Sequence, residues 1–269
     1  MAASRGAKTD KKEDFPWWLA AVCLTGLYLG WQVAADDLYL QILTTLMKGV
    51  KITVFVTFVS FFLASALGLL LALGSGSKWI AVRQLCRFYV EVVRGVPIIV
   101  LLLYVAFVLA PALVELRNFL GSYLGLEPIR TRSFSLLWRA IIALMIAYSA
   151  FISEVFRAGL QAVDEGQVEA AKALGLNGWQ RFRLVVFPQA FRTILPPLGN
   201  DFVALVKDSS LVSVLGVLDV TQLGKVTAAG NFRYFETYNV VALVYLAMTI
   251  GLSLLLRRLE KRMNRKFER

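Results

Sequence analysis

Charged and hydroxyl side chains interrupt two apolar stretches, and these residues are the best placed to do chemistry. Glu154 and Arg157 lie three residues apart, so on a helix they can pair on one face. Tyr148, Ser149 and Ser153 precede them, and the two serines stand one turn apart. Ionisable groups at membrane depth are costly and mark functional sites. We predict a gate or solute pathway here, with structural pairing and interhelical hydrogen bonds as the alternatives.

A second polar group interrupts the next apolar stretch. Asn200 and Lys207 share one face at helical spacing, and Asp208 lies on the neighbouring face with Asp201. Lys207 and Asp208 can hold a gate closed, contact the carboxylate or ammonium of a small solute, or satisfy each other. A packing or gating pair is the favoured interpretation.

The residues that are missing exclude several kinds of catalysis. The sequence has no histidine and two cysteines, which argues against His-based triads and the usual zinc sites. Residues 74–78 read GSGSK and fail the spacing of a phosphate-binding G-x-x-x-x-G-K-[ST] loop. We therefore predict a chain without a catalytic residue, cofactor or metal, so any ATP hydrolysis must occur on another polypeptide.

Composition indicates a membrane protein. Hydrophobic residues make up 58% of the chain and the mean hydropathy is +0.66, whereas soluble domains are about 45–50% apolar. About 20 apolar residues in a helix cross a bilayer core. The sequence predicts an all-α integral membrane protein with six transmembrane helices, near residues 16–35, 42–74, 96–114, 136–156, 190–218 and 237–256.

The distribution of positive charge predicts the orientation. Of the lysines and arginines, twenty fall in residues 1–15, 75–95, 157–192 and 257–269, and five fall in the loops expected on the opposite side. Cytoplasmic loops carry the excess of basic residues, so both termini are predicted to be cytoplasmic. This topology accounts for the net charge of +11 without any nucleic acid as a partner.

The first apolar stretch has two interpretations. Basic residues followed by an apolar run and small residues are typical of a cleavable signal peptide. This run is longer than such a core and carries Trp17, Trp18 and Trp31. Residues 1–41 are therefore predicted to be a cytoplasmic tail followed by an uncleaved anchor helix.

The segment 161–188 is polar and lies between apolar stretches. An Ala-rich short helix is predicted over residues 167–174, and Gly175 supplies the left-handed residue that ends it. Asn177 and Gln180 have the spacing of a capping box for a second short helix. Two short helices joined at a glycine corner make a projecting element for a partner.

This segment resembles the "EAA" loop of permease subunits in binding-protein-dependent ABC importers. The matching features are Glu169, Ala170 and Ala171, then Gly175, and an apolar-x-apolar-Pro ending at Pro188, where Val and Phe replace the commoner Ile and Leu. Three further segments are similar to the polar amino acid uptake branch: EVVRGVP at 91–97, EVFRAG at 154–159 and LVKDSSLVS at 205–213.

The resemblance covers residues 42–260 as a permease core, with a five-helix type I importer core plus one extra helix, and leaves 261–269 as a basic cytoplasmic tail. It implies a subunit of the bacterial cytoplasmic (inner) membrane that moves polar amino acids by alternating access. The implied partners are a cytoplasmic ATPase dimer carrying ATP and Mg, a second permease, an extracytoplasmic binding protein and membrane lipid. The implied ATPase-docking residues are Glu169, Ala170, Ala171, Leu174 and Gly175.

Two other functions remain open from sequence. A stand-alone six-helix secondary transporter or channel would need coupling-ion sites or inverted repeats, and neither is evident. A membrane scaffold would use the 161–188 segment to recruit a cytosolic partner without transport. Co-purification with an ATPase separates these alternatives from the importer.

Overall fold

The computed structural model describes residues 17–267, without the side chains of some residues in the first helix and at the C-terminal end. Every regular element in this range is helical. The α-helices are α1 (Trp17–Ala35), α2 (Asp37–Ser75), α3 (Ile80–Gly95), α4 (Ile98–Tyr104), α5 (Ala110–Tyr123), α6 (Leu136–Gln161), α7 (Glu165–Ala173), α8 (Gly178–Arg181), α9 (Phe187–Asp208), α10 (Val220–Asn231) and α11 (Tyr234–Phe267). The all-α prediction is confirmed for this part of the chain; the predicted tail at 1–15 lies outside it.

Two π-helical turns and two 3-10 helices connect these elements. The π turns, Val105–Leu109 and Phe182–Val186, join α4 to α5 and α8 to α9 without a break. The 3-10 helices are Thr131–Ser133 before α6 and Ser209–Leu215 after α9. The segment from Ile98 to Tyr123 is therefore one continuous helical rod.

Four of the described helices are long and apolar enough to cross a membrane. They are Asp37–Ser75, Ile98–Tyr123, Leu136–Gln161 and Tyr234–Met263. The sequence predicts six spans, and the other two correspond to α1 and α9, which are helical but are not among these four. Several described helices are therefore suited to span a membrane, but the predicted number of six is not confirmed.

Helix α6 forms the centre of the bundle and packs against α2, α3 and α9. The Ser60 hydroxyl donates to the carbonyl of Ile141 at 3.4 Å, and Gly68 lies against the backbone of Ser149. Because both numbers increase together along the contact, α2 and α6 run in the same direction. A Cβ at Gly68 would lie 3.0 Å from Ile152 and from the Ser149 carbonyl, so glycine allows this close packing.

The region 75–95, predicted as a basic cytoplasmic loop, is mostly helical. Residues 80–95 form α3, whose buried Val90 and Val93 pack on Ala150 of α6. Leu85 and Phe88 on another face of α3 are 69% and 67% exposed. A helix with one face on the bundle and an apolar face left open is suited to the membrane interface.

Helix α9 contains three prolines and continues through them. Pro188 lies in the first turn of α9, directly after the π turn at Phe182–Val186. Pro196 and Pro197 lie inside the helix, which continues to Asp208. Within a membrane bundle, neighbouring groups can satisfy the backbone that proline leaves unpaired.

Candidate coupling segment and pathway residues

The 161–188 segment is held in shape by its own end caps. The Asp164 side chain accepts from the Gln167 amide at 3.3 Å and so caps the start of α7. At the other end Gly175 has φ 77°, in the left-handed region that favours glycine, and the Leu176 amide reaches back to the Ala171 carbonyl at 3.2 Å. The predicted glycine corner is confirmed, although α7 spans 165–173 and not 167–174.

The capping box predicted for the second short helix is present. The Gln180 amide donates to the Asn177 side chain at 2.9 Å, and the Gln180 side chain accepts from the Asn177 amide at 2.9 Å. These reciprocal bonds fix the start of α8 directly after the glycine corner.

Four of the five predicted docking residues lie on the open face of this segment. Glu169, Ala170, Leu174 and Gly175 are exposed. Leu174 is 82% exposed, while Ala171 is only 4% exposed and faces the bundle. Leu174 is therefore accessible for contact with another molecule.

Helix α7 is also joined to the bundle behind it. The Gln189 side-chain amide donates to the Gln167 side chain at 3.1 Å, which links α7 to the first turn of α9. Val163, Ala190 and Ile194 form a buried cluster beneath this bond. Sequence reasoning missed Gln189, because a bond across 22 positions leaves no local pattern.

A close contact between α6 and α9 lies in the same place. A Cβ at Gly159 would lie 2.2 Å from the Ile194 side chain and 3.3 Å from the Ala190 carbonyl. The two helices that flank the 161–188 segment therefore touch directly where they meet it.

The predicted ion pair at the end of α6 is present. Arg157 Nε donates to Glu154 Oε2 at 3.2 Å, and Arg157 Nη1 donates to the Gln161 side chain at 2.8 Å. Arg157 is exposed and Glu154 is half-buried, so the pair lies at the rim of the bundle and not in its core.

The structure pairs Tyr148 with Asp208. The Tyr148 hydroxyl donates to Asp208 Oδ2 at 2.7 Å, across α6 and the end of α9. Within the described residues Lys207 is exposed and has no ion-pair partner. Lys207 and Asp208 therefore do not satisfy each other, and their role in a gate stays a prediction.

The two serines of α6 are buried and hydrogen-bonded, but only Ser149 bonds to another helix, while the Ser153 bond stays within α6. Ser149 shares a 2.9 Å bond with the Tyr89 hydroxyl of α3, and Ser153 donates to the Ala150 carbonyl at 2.8 Å. Burial raises the pKa of the Tyr89 phenol, so the hydroxyl stays protonated. Tyr89 was not predicted as a functional residue, because α3, the helix that carries it, was not predicted either.

Asn200 and Asp201 are the remaining polar residues of α9 that the sequence analysis singled out. Asn200 is exposed, and Asp201 has a buried Oδ2 without a hydrogen-bond partner among the described residues. In the same part of the chain no three His, Cys, Asp or Glu side chains lie close enough to hold a metal ion.

Comparison with known proteins gives the family. Residues 64–269 match the family described as "Binding-protein-dependent transport system inner membrane component". The chain belongs to this permease family. The match includes the whole 161–188 segment and every predicted pathway residue.

Individual relatives agree with this placement. "Probable amino-acid permease protein YxeN" of Bacillus subtilis is 36% identical over 225 residues, covering 83% of this chain and 93% of the relative. "Glutamine transport system permease protein GlnP" of Escherichia coli is 36% identical over 223 residues, covering 81% and 92%.

Solved permease structures have the same fold. A chain of an amino acid ABC transporter superposes with a TM-score of 0.70 at 34% identity, covering 85% of this chain and 99% of that one. A chain of the MetNI methionine ABC transporter has a TM-score of 0.62 at 22% identity, and this likeness bears on the fold alone.

Proposed function

We propose that this protein is the permease subunit of an ATP-driven ABC importer that carries polar amino acids into the cell. The observation that supports it most is the 161–188 segment, a structured and exposed corner on a chain of the binding-protein-dependent permease family. Relatives at 36% identity include an amino-acid permease and a glutamine permease. The ATP and Mg belong to a separate ATPase.

In this proposal α7 is the coupling helix that docks on the ATPase. The open face formed by Glu169, Ala170, Leu174 and Gly175 enters a groove of the ATPase, while Ala171 packs inward. Closure of the ATPase dimer on ATP moves α7, and the Gln167–Gln189 bond carries this movement to α9. No residue of this chain takes part in hydrolysis.

The complete assembly contains two permeases, two ATPases and a binding protein. With α1 and α9 as the two further spans, the chain crosses the membrane six times and places both termini with the 161–188 segment in the cytoplasm. The excess of basic residues on that side supports this orientation. The second permease is another copy of the chain or a related subunit, and membrane lipid surrounds the pair.

The pathway is proposed to run beside α6 and α9. Tyr148 and Asp208 form a hydrogen-bonded contact between these helices, and Lys207 and Asn200 are exposed on α9. Breaking the Tyr148–Asp208 bond as the helices separate would open a polar route. Glu154 and Arg157 hold the rim of the same route near the 161–188 segment.

The test is co-purification of the tagged chain from its native membrane in mild detergent, followed by mass spectrometry. We expect to recover a P-loop ATPase. The double variant Glu169→Lys and Gly175→Pro should lose it, whereas Gln84→Ala on the exposed face of α3 should keep it. Recovery of the chain alone, still able to move amino acids in liposomes, would overturn the proposal in favour of a secondary transporter.

A further inference from the structure

A polar cavity of about 510 Å³ opens at the end of the bundle that carries the 161–188 segment. Three elements form its walls: the end of α2, the middle of α3 and the end of α6. The lining residues are Ala72, Ser75, Gly76, Arg87, Val90, Glu91, Glu154, Arg157, Leu160 and Gln161. A cavity of this size is large enough for a small metabolite.

Two charged side chains in this cavity lack partners. Arg87 and Glu91 stand one turn apart on α3 and both are exposed. An Arg and a Glu at this spacing can pair on a helix. Among the described residues, however, no ion pair or hydrogen bond joins them to each other or to a third group. The cavity thus presents one free cation and one free anion about 5–6 Å apart at their Cβ atoms.

The opposite wall presents a pair that is already neutralised. Glu154 is bonded to Arg157, whose Nη1 donates to the Gln161 side-chain oxygen. This bond uses the acceptor of the Gln161 amide and leaves its NH₂ donor free. Arg94 lies outside the cavity lining, over the ring of Phe151. The groups available to a ligand are therefore a guanidinium, a carboxylate and an amide donor.

We propose that this cavity binds a free zwitterionic α-amino acid with a polar side chain. Its carboxylate pairs with Arg87, its ammonium with Glu91, and a side-chain carbonyl accepts from Gln161. A simple anion would meet Glu91 and a simple cation would meet Arg87, so only a ligand with both charges satisfies the site. The proposal rests on the proposed function, which makes the cavity a cytoplasmic site for the transported solute.

The experiment measures occupancy of the cavity as protection of an introduced cysteine from labelling. Ser75→Cys is introduced with Cys23→Ser and Cys86→Ser, and the complete transporter in nanodiscs, without binding protein, is labelled with a charged maleimide. L-glutamine is the probe. At about ten times its Kd it should slow the labelling about tenfold, because the site is then mostly occupied. Should Ser75→Cys fail to fold, Gly76→Cys on the same wall replaces it.

Modified probes test the two charges separately. N-acetylglutamine lacks the ammonium and glutamine amide lacks the carboxylate, so neither should protect the cysteine. Protection by phosphoethanolamine equal to that by glutamine would overturn the assignment and indicate a lipid headgroup site. Protection by both modified probes would equally overturn it, because the charges would then be irrelevant.

Matched variants connect the protection to the named residues. Arg87→Gln and Glu91→Gln should each abolish protection, while Gln84→Ala on the same helix, outside the lining, should leave it intact. A cysteine at Gln84 should label at the same rate with and without glutamine. If the transporter imports glutamine but Ser75→Cys is never protected, this inference alone fails; if it imports no amino acid, the proposed function fails first.

Discussion

At one end of the bundle the 161–188 segment is mostly exposed and shaped by its own capping bonds, whereas at the other end α10 is tied to its neighbours by buried polar groups. Asp219 is fully buried and accepts from the Gln222 amide at 2.8 Å and from the Tyr245 hydroxyl at 3.1 Å. The Val220 amide donates to Thr53 of α2 at 3.3 Å. One end leaves most of its residues open to solvent, and the other keeps three helices together.

The two ends should therefore respond differently to mutation. Losing a buried hydrogen bond leaves its partner unsatisfied at a cost of about 1–3 kcal/mol. Changes on an exposed surface usually stay within about 0.5 kcal/mol of the wild type. Substitutions near Asp219 should lower stability, while those on α7 should lower docking in a protein that is still folded.

The largest effect is expected for Gly49→Ala. A Cβ there would lie 2.7 Å from the backbone of Asp219 and Val220, so α2 and α10 must separate, and overpacking of this kind costs about 1–3 kcal/mol. Thermal unfolding of the detergent-solubilised protein, followed by size exclusion, measures the loss. Gly251→Ala is the matched control, because nothing lies within 4 Å of its Cβ position; equal melting of the two variants would contradict the close contact.

The next effect should come from Asp219→Ala, which removes the α10 cap and leaves the Tyr245 hydroxyl with one partner fewer. We expect a loss of about 1–3 kcal/mol in the same unfolding assay. Asp219→Asn keeps a side-chain oxygen that can cap the helix and should retain most of the stability. If Asn were as damaging as Ala, the negative charge and not the hydrogen bonds would hold this end.

Gly175→Pro should leave stability nearly unchanged and abolish recovery of the ATPase. Proline cannot adopt the positive φ of 77°, so the corner between α7 and α8 is lost. Pull-down measures the docking and melting temperature measures the fold. Gly175→Asn is the control, since asparagine tolerates this conformation. Normal ATPase recovery with proline would refute a docking role for the corner.

The smallest effect is expected at the ion pair of α6. Glu154→Arg places two cations together and should reduce transport modestly, because a pair at a half-exposed rim is worth about 0.2–1 kcal/mol. Combining it with Arg157→Glu restores the opposite charges and should recover activity in an uptake assay. Equal activity of the single and double variants would mean that the pairing is unimportant.

The same comparison explains how much the sequence could predict. The caps of α7 and α8 depend on residues within a few positions of each other, so Gly175, Asn177 and Gln180 could be assigned from spacing alone. The binding of α10 to α2 depends on Thr53 and Val220, which are 167 positions apart. A single sequence has no pattern that connects such residues.

The errors have the same physical origin. Lys207 and Asp208 are neighbours in sequence, but the partner of Asp208 is Tyr148 on another helix. The charged residues of α3 are typical of a cytoplasmic loop, and its buried face is defined only by contact with α6. Residue spacing predicts which side-chain contacts one helix can form, and packing against other helices decides which of those contacts are made.

The Gly159–Ile194 contact gives the molecule a mechanical property. Because Gly159 has no side chain, Ile194 of α9 packs directly on the backbone of α6, and the two helices have a close pivot point beside the 161–188 segment. Helix α9 has 22 residues and so extends about 33 Å from its first turn. If α7 moves as proposed, a small rotation there would be magnified along α9, and the widest displacement would occur at its far end, next to Asp208.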